Sequence, residues 1–300
     1  MVSRFFTWPG GSKGKDKRRR GKMKSKLFPA ILLIIFLSLL IMGCEKKSVK
    51  PGTTDWDAVK EIVSENPEIF ALGIYDTAPD TPFYREITEN SPDIDEGKLF
   101  EADSSHWVDY ITLVWTDIIQ GKFHYYTNGE WHEKKFMSKT WTNAYFERWG
   151  ETYDLHRGWI LEEFSGTLNW AQGPWMDSLR ITSEGVDTTI PALLLWERNL
   201  IKKNNTLVFG PGKQVTFTLF VNPAESTDFS FLFIKEESSY EKIPFTYQGG
   251  NLSASWVTTS NPDIAKFYYS AIIDMVWRES VTIDTTECRF NASGIVYRIK

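Results

Sequence analysis

The chain has 300 residues, 24% of them charged and 15% aromatic, and a formal net charge of −5. An acidic chain is repelled by nucleic acid rather than drawn to it, so no nucleic-acid partner is expected. With only two cysteines there is no disulfide framework, and four scattered histidines argue against a metal centre.

In chain order, the first signal is a basic flank. Lys13, Lys15, Lys17, Arg18, Arg19, Arg20, Lys22, Lys24 and Lys26 precede an apolar run from Leu27 to Met42. As a helix that run would span about 24 Å, short of a hydrocarbon core of about 30 Å, which favours a signal peptide over a transmembrane span. The basic flank stays cytosolic during export and the remainder crosses. Ile41-Met42-Gly43-Cys44 then resembles the lipobox of bacterial lipoproteins. That resemblance implies cleavage between Gly43 and Cys44, diacylglycerol on the Cys44 thiol and acylation of the new amine. Ile41 and Met42 depart from the Leu and the Ala or Ser usual at those positions. An uncleaved signal anchor is the alternative, and both readings leave the bulk of the chain extracytoplasmic and membrane-anchored. Glu45 differs from the Asp that retains some lipoproteins in the inner membrane, so the resemblance leans toward an outer-membrane or cell-surface address. A start at Met23 would give a more ordinary leader.

Residues 1–43 hold ten of the 34 Lys and Arg and one of the 39 Asp and Glu, so the exported part keeps 24 basic against 38 acidic side chains, a formal charge of −14. It also holds twelve of the thirteen Trp, all but Trp8. Rings at that density either fill a β-rich core or form a stacking surface for flat ligands. If Cys44 carries lipid, Cys288 has no partner for an internal disulfide and reads as a small, partly buried residue.

Residues 44–54 are polar, include Pro51-Gly52 and suit a tether. Trp56, Val59, Ile62 and Val63 recur at helical spacing behind Thr54 and Asp55, predicting an amphipathic helix over 55–65 that ends at Asn66-Pro67. Seven acids between Asp76 and Glu96, interleaved with Pro79, Pro82 and Pro92, predict an irregular, solvated segment. Ile111, Leu113, Trp115 and Ile119 alternate as in a strand, Gly121 offers a turn, and Asn128-Gly129 is a hairpin signal. Ser138 followed by Trp141, Ala144, Tyr145 and Trp149, then Gly150, predicts a second helix. Strands follow at 158–164 and 176–183, while 190–201 is ambiguous between helix and strand.

From Thr206 onward only short strands are predicted: 207–209, 215–221, 229–234, 243–247, 252–258, 267–277 and 295–299. Pro211-Gly212, Asn222-Pro223, Gly249-Gly250, Asn261-Pro262 and Ser293-Gly294 supply turns between most of them. The expected fold is an α+β domain with an antiparallel sheet over 55–203, followed by an all-β domain over 204–300 that resembles an immunoglobulin-like or fibronectin-like sandwich without its cysteine pair.

Catalytic motifs fail on inspection. His132-Glu133 has Phe136 where a zincin's second histidine belongs, and Ser165 in EEFSG lacks the first Gly of a nucleophile elbow. Glu162 and Glu163 are adjacent in a strand and cannot flank one glycosidic bond. No metal and no cofactor is implied. The one surface candidate is Asn169-Trp170-Ala171-Gln172-Gly173-Pro174-Trp175, where Trp170 and Trp175 could stack on a glycan or fold back on the core. The expected role is a lipid-anchored envelope protein that binds or scaffolds, with a glycan or an envelope protein as partner. Hydrolysis of envelope or imported polysaccharide is the alternative, and a solute-binding lipoprotein is disfavoured by the missing α/β lobes.

Overall fold

The computed structural model describes residues 54–71, 74, 82–191, 194, 200–221, 229–236, 240–262, 268–283 and 287–300. Contacts divide the chain into Met1–Lys46 and Lys47–Lys300, and every described residue lies in the second unit. Gly43, Cys44, the apolar run and most of the tether therefore fall outside the described residues. Among those described, no helix is long and apolar enough to cross a membrane.

One helix opens the body, α1 (Asp55–Glu65). Thr54 caps it: Asp57 N donates to the Thr54 hydroxyl at 3.2 Å while Asp57 Oδ2 accepts from Thr54 N at 2.8 Å, the reciprocal capping box. Ala58, Val59, Ile62 and Val63 form its buried stripe. Among the described residues the other elements are mainly strands: β1 (Phe83–Phe100), β2 (Tyr110–Thr127), β3 (Glu130–Arg148), β4 (Trp159–Phe164), β5 (Leu168–Ala171), β6 (Met176–Ser183), β7 (Val186–Pro191), β8 (Ile201–Lys202), β9 (Leu207–Phe209), β10 (Gln214–Val221), β11 (Phe229–Lys235), β12 (Glu241–Pro244), β13 (Thr246–Gln248), β14 (Asn251–Val257), β15 (Tyr269–Val276) and β16 (Phe290–Ile299), with short 3-10 helices at Leu155–Gly158 and Lys203–Asn205 and a five-residue helix α2 (Arg278–Thr282) before the last strand.

Two sheets result. The larger runs β1-β2-β3-β5-β16-β15-β11-β12, with β4, β8 and β9 attached at its flanks, and the smaller runs β13-β14-β10-β6-β7. Among the described strands pairing is antiparallel except between β9 and β16, and one isolated parallel bridge joins Gln172 to Phe290. The expected α+β domain followed by a separate sandwich is thus overturned: the described chain is mostly antiparallel β in a sandwich-like arrangement, and both sheets take strands from each side of residue 203.

The departure has a physical source. Trp141, Ala144, Tyr145 and Trp149 fit a helical stripe, yet Phe136, Ser138, Thr140, Thr142, Ala144 and Phe146 are the buried positions of one long strand. The inner face of β3 is half polar, so its period of two is hidden from hydrophobicity alone. Thr140 and Thr142 are accommodated by partners, Asp117 N donating to Thr140 at 3.1 Å and the Thr142 and Thr167 hydroxyls lying 2.9 Å apart. Likewise, residues 83–96 of the acidic segment belong to β1, whose two register shifts and edge position tolerate Pro92. Gly121 makes no turn; it lies inside β2, where a Cβ would sit 2.2 Å from the Glu86 carbonyl oxygen. Ser293-Gly294 lies within β16 rather than in a turn. Asn128 and Gly129 do turn the chain, both with positive φ.

The core has three parts. On β15 and β16, Tyr269, Ala271, Ile273, Met275, Ile295, Tyr297 and Ile299 face the smaller sheet and pack on Leu179, Ile181, Phe217, Leu219 and Trp256. On the opposite face, Ile272, Val276, Phe290 and Ala292 meet Phe83, Ile119, Phe123, Tyr125 and Phe136, because β1–β3 curl back over the same sheet. Helix α1 closes the end of that curl against Ile111, Leu113, Phe146 and Trp159. The curl brings first and last strands together, with Lys242 Nζ of β12 donating to the Phe83 carbonyl at 3.0 Å. Inside it, Arg85 and Asp274 form a fully buried two-pronged ion pair at 2.5 and 3.0 Å.

Candidate functional site

Trp170 sits on β5, a four-residue strand held on both sides: it pairs with Lys139 of β3 and with Asn291 of β16. Its ring emerges beside an open groove of about 620 Å³, lined also by Ile118, Gln120, Lys135, Met137, Lys139 and Gln172. Strand alternation explains the set. Residues 135, 137 and 139 point away from the curl because 136 and 138 point into it. Trp141, next on that outer face, lies 6.3 Å from the Trp170 ring at a 38° tilt, with Lys139 Nζ 5.9 Å from its centroid.

The groove therefore combines an indole and an exposed methionine with two amides, two ammonium groups and the carboxylate of Glu287. An indole face takes the C–H face of a sugar ring, and amides and ammonium groups supply the hydrogen bonds that orient it. Trp170 and Trp175 are 37% and 36% exposed, so neither is buried as a lid on the core. Only Trp170 lines the groove; the structure does not bring Trp175 to it.

The segment between the two indoles is pinned from below. Buried Asn291 accepts from Gly173 N at 3.2 Å and donates to the carbonyls of Gly173 and Pro174 at 2.8 and 3.0 Å. Gly173 is required because a Cβ there would lie 2.2 Å from the Phe290 carbonyl carbon. Gln172 adopts a left-handed φ of 55° and so turns its amide to the groove's end. Sequence reasoning misses Asn291, Met137 and Lys139. Alternation along 135–141 is the available signal for the last two, but none marks Asn291, which lies 118 residues from the glycine it holds.

Cys288 lies at the groove's margin but is buried, and burial pushes its thiol up to about 12 despite the nearby Arg85 and Lys134 charges. It is a packing residue, not a nucleophile. The histidines are dispersed. His106 caps the β1–β2 connection, His124 stacks on Tyr84 at 4.3 Å and meets Glu86 at 3.2 Å, and His132 stacks on Tyr125 at 5.3 Å. His156 reaches α1, with Nδ1 3.4 Å from Glu61 and Nε2 3.0 Å from Glu65. One ligand atom from each of Glu61, Glu65 and His156 lies within 4.8 Å of the others, so among the described residues these three could gather on a metal ion, and His156 Nδ1 has no hydrogen-bond partner. Glu162 and Glu163 are consecutive, half-buried residues of β4 at a register shift against β3, so the alternation expected of an unbroken strand does not hold between them.

No protein-family model matches this chain, and no curated protein matches it.

Proposed function

We propose that this chain is a lipid-anchored bacterial envelope protein, held by Cys44, whose body binds rather than reacts, and that the Trp170 groove takes an extended glycan. The observation that carries the binding half is the groove itself: Trp170 and Met137 as an apolar floor, with Gln120, Gln172, Lys135 and Lys139 around it. Its openness suits a chain lying across a sheet face. Lys135 and Lys139 on one side and Glu287 on the other give the groove groups that can bond the hydroxyls and substituents of a glycan. The anchor half rests on the resemblance at Ile41-Met42-Gly43-Cys44 and on the basic and apolar segments before it.

Two measurements test the reading. An oligosaccharide panel titrated against the full chain should show binding that Trp170→Ala removes while the far-ultraviolet circular dichroism is unchanged. Equal binding by the variant, or no binding across neutral and anionic glycans, removes the groove from the account. Mass spectrometry of the native protein should find a diacylglycerol thioether at Cys44. An unmodified sulfur, or one joined to Cys288, removes the anchor.

A further inference from the structure

We infer that the end of the body formed by the β1–β2 and β3–β4 connections seats on a lipid surface, with Trp107 entering the headgroup layer. This rests on the lipid-anchor reading and states what the tethered body does at the bilayer. Antiparallel pairing places both connections at one end, since Phe100 pairs with Tyr110, Tyr110 with Glu147 and Glu147 with Ile160. That end carries large apolar side chains facing solvent: Trp107 is 95% exposed, Tyr153 66% and Trp149 63%, with Leu99 and Leu155 also exposed. Tryptophan is highly buried on average, and indole and phenol rings partition to the membrane–water boundary, where one edge is apolar and the other wet.

Trp107 is held outward on a braced loop. Asp103 Oδ1 accepts from Ser105 N at 2.7 Å, Ser105 Oγ at 2.6 Å and His106 N at 3.0 Å. Asp109 Oδ1 accepts from Ala102 N at 2.8 Å, and the His106 ring rests 4.3 Å from Tyr110. These bonds fix the backbone on either side of the indole, which faces solvent.

The chain enters the body at this same end. Asp55, at the start of α1, accepts from Arg157 at 2.8 Å and from Trp159 Nε1 at 3.1 Å, and lies 3.5 Å from Arg148. The same Arg148 guanidinium bonds Asp109, two residues beyond Trp107. Nine residues, and so ten Cα-to-Cα steps, separate Cys44 from Thr54, so the two lie at most about 36 Å of extended chain apart. The rim, where the chain enters the body, is thus within reach of the tethered lipid.

Charge selects the lipid. Arg148 and Arg157 are paired with Asp55 and Asp109, which leaves Glu101, Asp103, Glu147, Glu151 and Asp154 against Lys98 near the rim, so an anionic surface would repel it and a zwitterionic one would not. The seating is driven by ring partition and is only weakly dependent on salt.

The test uses the full chain reconstituted in phosphatidylcholine vesicles containing brominated lipid, with tryptophan emission as the readout and the protein's mass recorded in parallel. Quenching of the wild type, most of it lost in Trp107→Ala, is the expected result; the exposed position leaves the fold intact. A lipidated protein that is unquenched, or quenched equally without Trp107, overturns the seating while the anchor stands. If the mass shows no lipid, the anchor fails by itself, and the seating is then decided by whether the unlipidated chain still binds the vesicles through Trp107. Stronger quenching on phosphatidylglycerol vesicles overturns the assigned lipid class, and so does quenching that high salt abolishes.

Discussion

The most demanding prediction concerns Asp274→Asn. Asp274 on β15 is fully buried and lies 189 residues from its partner, Arg85 on β1, so this ion pair fixes how the long hairpins lie over the central strands. Besides the carboxylate, the guanidinium faces the rings of Phe290, Phe83 and Phe123 at 4.2, 5.2 and 5.7 Å. Asparagine keeps the shape but removes the countercharge, leaving a cation among aromatic rings in a place water does not reach. Breaking one side of such a pair costs about 3–5 kcal/mol, a large share of the ~5–15 kcal/mol that holds a domain folded. At about 2–4 °C per kcal/mol for a body of this size, the midpoint should fall by roughly 6–20 °C. Urea unfolding followed by tryptophan fluorescence and near-ultraviolet circular dichroism reads the loss, and the denaturant slope should not change. The double variant Arg85→Met/Asp274→Leu, which removes both charges, should recover most of it. A single-variant loss below about 1 kcal/mol, or a double variant as unstable as the single, would refute the role given to charge burial here.

Cys288 should resist iodoacetamide at pH 8 in the native protein and react once urea exposes it, because burial holds its thiol near 12; rapid native labelling would show a more open margin. Gly173→Ala should destabilise the body by about 1–3 kcal/mol and weaken glycan binding together, since its Cβ would meet the Phe290 backbone and force the Asn291-held segment away. Asp103, held near 2 by hydrogen bonds from the Ser105 side chain and the Ser105 and His106 backbone, lies below the ordinary value of 3.8. Its contribution to loop order should therefore be fully present above pH 3.8 and be lost as the pH falls through about 2; an NMR titration midpoint near 3.8 would contradict the bracing of Trp107.

Several features of the fold are legible in the sequence alone. The capping box at Thr54, the amphipathic stripe of α1, the Asn128-Gly129 turn and most short strands after Thr206 are written in neighbouring residues. The Trp170–Trp175 segment also stands out, and one of its two indoles lines the groove. Misreadings arise where two periods coincide. In β3, aromatic residues on the outer face recur at helical spacing, while serine and threonine occupy inward positions that hydrophobicity would have marked. Edge strand β1 is hidden for a related reason: its acids and Pro92 belong on an edge that blunts further pairing, and they read as loop.

By itself, then, the order of residues determined the capped helix at Thr54, the Asn128-Gly129 turn and most short strands after Thr206, and it displays a basic flank and an apolar run ahead of a cysteine. Those are matters of a few adjacent side chains, with energies set within a turn or a strand. Tertiary structure alone decided that β5 would lie between β3 and β16, that Asn291 would reach under Gly173, and that Arg85 would find Asp274 inside the curl. Each joins groups more than a hundred residues apart or inserts one strand between two others. Such contacts repay the entropy of closing a long loop only when an entire face is buried at once, so no short window of sequence carries them.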